Sequence, residues 1–154
     1  MLSSAPLNQV VNQIRSAVLS MVDASRFEAL LDRRPEIIVQ RPGKPVLYIR
    51  YMGGDNEEGG LSSALSYRNL AFQIRIMHPV LRFSGMPQGT DALLYSQDVC
   101  LDAESHVLEK LYEDPSLGGL VLDSYPSGSI AGPISDEQGD EWYAHEITLV
   151  VRVH

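Results

Sequence analysis

Four histidines, one cysteine and two clusters of carboxylates are the groups in this 154-residue chain that can bind a metal, move a proton or attack a substrate. Of His78, His106, His145 and His154, only His106 has a neighbour at ligand spacing, Glu109, three residues on. A zinc site needs a third and a fourth ligand, so the pair reads as an ordinary i,i+3 contact on the surface of a helix. Cys100 precedes His106 by six residues, which places the two side chains on poorly matched faces of one helix, and no GxSxG elbow supports a serine nucleophile. A lone cysteine excludes an internal disulfide and a CxxC metal knuckle, is compatible with a reducing cytoplasm, and is expected as a small buried or half-buried residue. "SGSIAG" (residues 127–132) is punctuated by glycine but lacks the lysine and hydroxyl of a phosphate-binding loop. No catalytic residue, metal ligand or cofactor site is therefore expected.

The first acid cluster, "DNEE", contains Asp55, Glu57 and Glu58; the second contains Asp136, Glu137, Asp140 and Glu141. Neither follows the alternating spacing of a calcium loop, so both read as solvated loop charge. Trp142 and Tyr143 beside the second cluster can anchor a protein interface, where aromatic residues are enriched, or pack into the core at the start of a strand. The net charge of −8 is unevenly placed. Residues 1–77 hold nine Lys and Arg against seven Asp and Glu, a balance of +2, whereas residues 78–154 hold three against thirteen, a balance of −10. An acidic surface repels phosphate backbones and disfavours sequence-independent DNA binding. The same polarity can instead supply unlike patches for protein contacts, unless folding scrambles it.

With 44% apolar and 21% charged residues the chain has the composition of a folded globular protein, and its length suits one domain with one core. The first residues show no early positive cluster and no apolar run of about 18 residues, so neither a signal peptide nor a membrane span is expected. Leu7, Val10, Val11, Ile14, Val18, Met21 and Val22 recur at helical steps, with Ser3 or Ser4 as cap and Pro6 in the first turn. Residues 25–35 fit a short helix or a strand. "EIIVQ" and "PVLYIRYM" predict two antiparallel strands joined by a hairpin at residues 41–44. "GGDNEEGG" (residues 53–60) is expected to be a mobile loop whose acids can be deleted without loss of the fold. "NLAFQIRIMH" alternates as a strand, and after a loop at residues 83–91 a helix capped by Thr90 or Asp91 runs through Val99, Ala103, Val107, Leu108 and Leu111.

That helix stops at "DPSLGG", where Pro115 cannot extend it and Gly118 or Gly119 can take the left-handed conformation, after which "LVLDSY" can enter a sheet. Residues 126–140 read as a second loop, and "EWYAHEITLVVRVH" as a long closing strand. The expected architecture is α+β: a mostly antiparallel or mixed sheet with two main helices packed on one face. The other face needs cover or a partner.

"HVLEKLYEDPSLGGLVLDSYP", the acidic and aromatic loop after it and the closing "YAHEITLVVRV" resemble the tail terminator, or tail completion, proteins of long-tailed bacteriophages. The opening helix with "IRSAVLSMV", the strands in "RPEIIVQRPGKPVLYIRYM" and the strand "LAFQIRIMH" agree in order. The resemblance implies a non-enzymatic virion assembly protein, made in the bacterial host cytoplasm, that forms a ring, a hexamer, on the end of the tail tube. There it ends tube polymerisation and joins the head. Its partners would be copies of itself, the tail tube protein and the head-tail connector or neck protein. DNA would pass through the lumen without specific binding, and no membrane is involved. Under this reading Asp55, Glu57, Glu58, Asp136, Glu137, Asp140 and Trp142 are the candidate contact residues of the two loops. The alternatives are a neck or head-completion connector, or a small metal-dependent hydrolase using His106, Glu109 and the acidic loops.

Overall fold

The computed structural model describes residues 5–31, 44–58, 66–80, 89, 91–135 and 139–153. Helix α1 (Leu7–Met21) leads through a 3-10 turn (Ala24–Arg26) into strand β1 (Ala29–Leu31), followed by β2 (Val46–Glu58), β3 (Ser66–Pro79), helix α2 (Ala92–Glu113), β4 (Asp123–Ser135) and β5 (Glu141–Val153). The five strands form one mixed sheet in the order β1-β2-β3-β5-β4, in which only the β1–β2 pair is parallel. The fold is α+β, as the alternation of apolar patterns predicts.

Strict alternation along β3 and β5 decides which sheet face meets the helices. Leu70, Phe72, Ile74 and Ile76 of β3 stand opposite Val151, Leu149, Ile147 and His145 of β5, and all eight are buried. They join Val10, Ile14 and Val18 of α1 and Cys100, Val107 and Leu111 of α2 in one core. Each large side chain removed from water in this way contributes roughly 1.5–3 kcal/mol before entropy is counted. Leu7, assigned to the same stripe of α1 by its spacing, is 39% exposed because it sits at the helix end.

Asp91 caps α2 by accepting the N–H groups of Leu93 and Leu94 at 2.9 and 3.2 Å. At the other end Leu117, Gly118 and Gly119 all have positive φ (52°, 74° and 83°), so the chain reverses over three left-handed residues. Leu117 has a Cβ and pays for this conformation, which burial of its side chain offsets. The turn is tied by its own side chains. Asp114 accepts the Ser116 hydroxyl and the Gly118 N–H, Ser116 accepts the Gly119 N–H, and Ser124 donates to the carbonyl of Pro115. Strand β4 starts at Asp123, so residues 120–122 belong to the turn and not to the sheet.

Two expectations change, and a third falls outside the described residues. Residues 53–58 are strand and not a loop: β2 bulges between Tyr51 and Gly53 and then pairs Asp55, Asn56, Glu57 and Glu58 with Asn69, Arg68, Tyr67 and Ser66. Ladder hydrogen bonds override the weak local strand preference of that sequence, and deletion of the acids would remove four paired positions. Residues 126–135 are likewise strand, paired with β5 across a second bulge between Pro126 and Gly128. The predicted strand "EIIVQ" lies outside the described residues; the neighbour of β2 on that edge is Ala29–Leu31, and it runs parallel.

Two outcomes follow. A Cβ at Gly54 would lie 2.7 Å from the backbone oxygen of Asn69, whereas one at Gly128 meets nothing within 4 Å. Gly54→Ala should therefore lower the urea midpoint by an amount equivalent to about 1–3 kcal/mol, with Gly128→Ala close to neutral. The hydroxyl of Ser116 and the N–H of Gly118 hold the Asp114 carboxyl below the usual carboxylate range. A depressed folded-state value stabilises the fold above the unfolded value, near pH 4, and the contribution is lost as pH falls through the folded one. Asp114→Asn should flatten the acid limb of a stability-against-pH curve and leave the neutral limb parallel to that of the unaltered protein.

Candidate functional site

The groups that can do chemistry gather under α2, where the helical step 96, 100, 103, 104, 107, 111 faces the sheet. Ser96 and His78 are both fully buried, with Oγ and Nδ1 2.8 Å apart, the separation of a nucleophile and its base. The Ser96 hydroxyl, however, donates to the carbonyl of Pro79 at 2.9 Å. It therefore accepts from a protonated Nδ1, the reverse of the proton path that would activate it. The pair satisfies buried polar atoms between helix and strand.

Cys100 is fully buried, with its sulfur 3.5 Å from the carbonyl oxygen of Tyr143 and 3.9 Å from that of Ile76. Burial pushes its thiol up to about 12, so it holds its proton at neutral pH and is no nucleophile. His106 is buried rather than exposed, which corrects its reading as a surface residue. Its Nε2 accepts the backbone N–H of Asp23 at 2.9 Å and ties α2 to the turn after α1. Burial, and then the nearby Arg26 and Lys110, lower its affinity for a proton and keep it an acceptor. Glu109 is exposed, whereas the Nε2 of the buried His106 is taken by the Asp23 N–H, so the two do not form a ligand pair. Among the described residues no group of three His, Cys, Asp or Glu side chains is placed to hold a metal ion.

One buried pair escaped the sequence analysis. Glu104 and His145 meet under the helix with Oε2 and Nδ1 3.2 Å apart and both side chains largely out of solvent. The clue was available: Glu104 follows Cys100 by one helical turn and so lies on the buried stripe. Its partner, on β5, is supplied by the tertiary fold.

The opposite face of the sheet carries the second feature. There Arg75 of β3 forms a charge-assisted bond with Glu146 of β5, Gln73 donates to Glu146 at 2.7 Å, and Arg50 of β2 donates to Gln73 at 2.8 Å. The Arg75 guanidinium also lies 5.7 Å from the centre of the Tyr48 ring. Folding thus joins a cation of the basic half of the chain to an acid of the acidic half. Beside this network Tyr48, Met77, Trp142 and Ala144 form a small apolar cluster of their own.

Trp142 is consequently a core residue, only 2% exposed, and not a surface anchor; it stands opposite Pro79 on β3 and Ile134 on β4. Asp140 is exposed just before β5. Asp55, Glu57 and Glu58 lie on β2 at the sheet's far end, and Asp136, Glu137 and His154 lie outside the described residues. What the surface does offer is exposed apolar area on both sides of the layer: Leu94, Leu101 and Tyr112 on α2, and Tyr125 and Ile130 on β4.

No protein-family model matches the chain, and no curated protein matches it as a relative. No helix among the described residues is long and apolar enough to cross a membrane.

With Cys100 enclosed, a thiol-reactive probe at pH 8 should label the folded protein at least tenfold more slowly than the urea-unfolded chain. Equal rates would show that α2 opens readily from the sheet.

Proposed function

We propose that this chain is a non-enzymatic assembly protein that forms a ring on the end of a phage tail tube, stops tube polymerisation and presents the head-joining surface. The resemblance at the helix–DPSLGG–strand junction motivates the reading, and one observation carries it: large apolar side chains are exposed on two opposite faces of a single α/β layer. Monomeric proteins seldom leave clustered apolar side chains in water without using them. When two different faces of one subunit are sticky, contacts between copies are heterologous, and such contacts close into rings when the rotation allows. The reactive groups, in contrast, are enclosed under α2, which favours assembly over catalysis.

The tail tube protein and the head-tail connector are the expected partners on the two sides of the ring. The deciding experiment is light scattering over a range of concentrations, followed by addition of the protein to polymerising tube protein. A closed oligomer the size of a hexamer, or a monomer driven to that size by tube ends, together with arrest of tube growth, is the expected result. Capture by the connector alone would move the protein to the neck, and a strict monomer indifferent to both partners would overturn the ring.

A further inference from the structure

The sheet ends at β4, and no strand among the described residues pairs with its outer side. Which backbone groups turn outward there follows from one bond. The Val80 N–H donates to the carbonyl of Glu141, so the odd-numbered residues of β5 turn their backbone groups toward β3 and the even-numbered ones toward β4. The β4 partners of the even-numbered residues, among them Gly128, Ile130, Gly132 and Ile134, are therefore bonded inward. Ser129, Ala131 and Pro133, opposite Ile147, His145 and Tyr143, turn their backbone outward, as does Pro126 opposite Leu149. Both prolines thus stand where a missing N–H takes nothing from the ladder. Between them lie the outward N–H and C=O groups of Ser129 and Ala131, both of which are exposed.

Such an edge is a template for another strand, and three features match it to a second copy of itself. The backbone groups are self-complementary. In an antiparallel pair centred on Ile130, Ser129 stands opposite Ala131 of the second copy, and the two exchange both of their outward bonds. Sliding the pair by one residue sets Ser129 against Pro133 in one direction and Ala131 against the bulge before Gly128 in the other. The side chains are self-complementary as well, because Gly128-Ser129-Ile130-Ala131-Gly132 has the same order of sizes from either end. Ile130, 68% exposed, then meets its own copy, and its diagonal neighbours are Gly128 and Gly132, where a Cβ would touch nothing within 4 Å. Finally, the edge is neutral. Residues 124–135 contain no charged side chain in a chain of net charge −8, and Glu146, beside Ile130, is already bonded to Arg75.

We infer that two copies of this chain pair through the outer edges of β4, antiparallel about a two-fold axis at Ile130, and so join their sheets into one. The contact closes at two copies, because each edge is used up by its partner. It goes beyond the ring reading and does not depend on it, since a two-fold contact is distinct from the head-to-tail contact that closes a ring. What it does for a free subunit is cover the 13-residue edge strand, the far edge of the sheet being the three-residue β1.

Cross-linking that depends on register tests it. Facing Cα atoms of a non-hydrogen-bonded antiparallel pair lie about 4.5 Å apart, within disulfide range. Ile130→Cys under mild air oxidation should therefore run as a linked dimer of twice 17.0 kDa, while the unaltered protein, whose Cys100 is buried, should give none. Ser129→Cys and Ala131→Cys should each stay unlinked alone, because an offset of two residues adds roughly 7 Å along the strand, and should link when mixed. Ile130→Asp sets two carboxylates face to face. Its melting temperature should match that of the unaltered protein, since the side chain is exposed, and light scattering should lose the two-copy species. If Ile130→Cys links no faster than Leu94→Cys, a similarly exposed position on α2, or if Ser129→Cys links alone, the edge does not pair with itself in this way and the inference is overturned. A hexamer-sized species that persists in Ile130→Asp belongs to the ring contact, so failure of the edge pairing and failure of the ring are read separately.

Discussion

The packing of α2 across the central β3–β5 pair is the constraint on which the rest of this molecule depends. Ile74, Ile76, Ile147 and Leu149 form a continuous apolar floor, and Cys100, Val107 and Leu111 close it from above. Because interiors are packed to crystal-like density, the helix has one seat, and polar atoms caught beneath it must find partners there. His78 with Ser96, and Glu104 beside His145, are the groups so caught. They resemble the pieces of an active site, yet their burial, and for Ser96 the donation of its hydroxyl to Pro79, make them part of the helix's underside.

This seating also determines what remains outside. With one side of α2 committed to the floor and His106 committed to the turn after α1, the remaining side displays leucine and tyrosine next to a line of carboxylates. The tied turn at residues 114–119 then returns the chain so that β4 lies at the sheet edge beyond β5. Its apolar residues Tyr125 and Ile130 therefore have a single neighbouring strand and stay exposed. Two unlike surfaces on opposite sides of one layer thus arise from one packing decision.

Electrostatics modifies this picture without controlling it. The excess of acid in the second half of the chain survives on α2, where it lines the exposed ridge. Within the sheet it is partly cancelled, since Arg75 and Glu146 neutralise each other across adjacent strands. In such a partly enclosed pair, supported by Gln73 and Arg50, desolvation offsets much of the attraction, so its net contribution to stability is small. The polarity that was plain along the chain becomes a polarity between faces.

The sequence by itself determined the elements whose hydrophobic period is long and clean: α1, α2, β3 and β5, a cap for α2 at Thr90 or Asp91, a left-handed helix end at Gly118 or Gly119, and from these the α+β class. Periodicity records which residues must leave water together, and that is a local property of the chain. Strand pairing alone decided the fate of residues 53–58 and 126–135, where glycine, serine and acids predict loop but the next strand along the chain supplies the ladder bonds. Tertiary structure decided that Trp142 packs in the second cluster, that His106 is an enclosed acceptor, and that Glu104 meets His145. For His106, Glu104 and Trp142 the deciding neighbour is Asp23, His145 and the Tyr48–Met77 pair, on other elements of the chain, and no pattern within one segment encodes a partner's position.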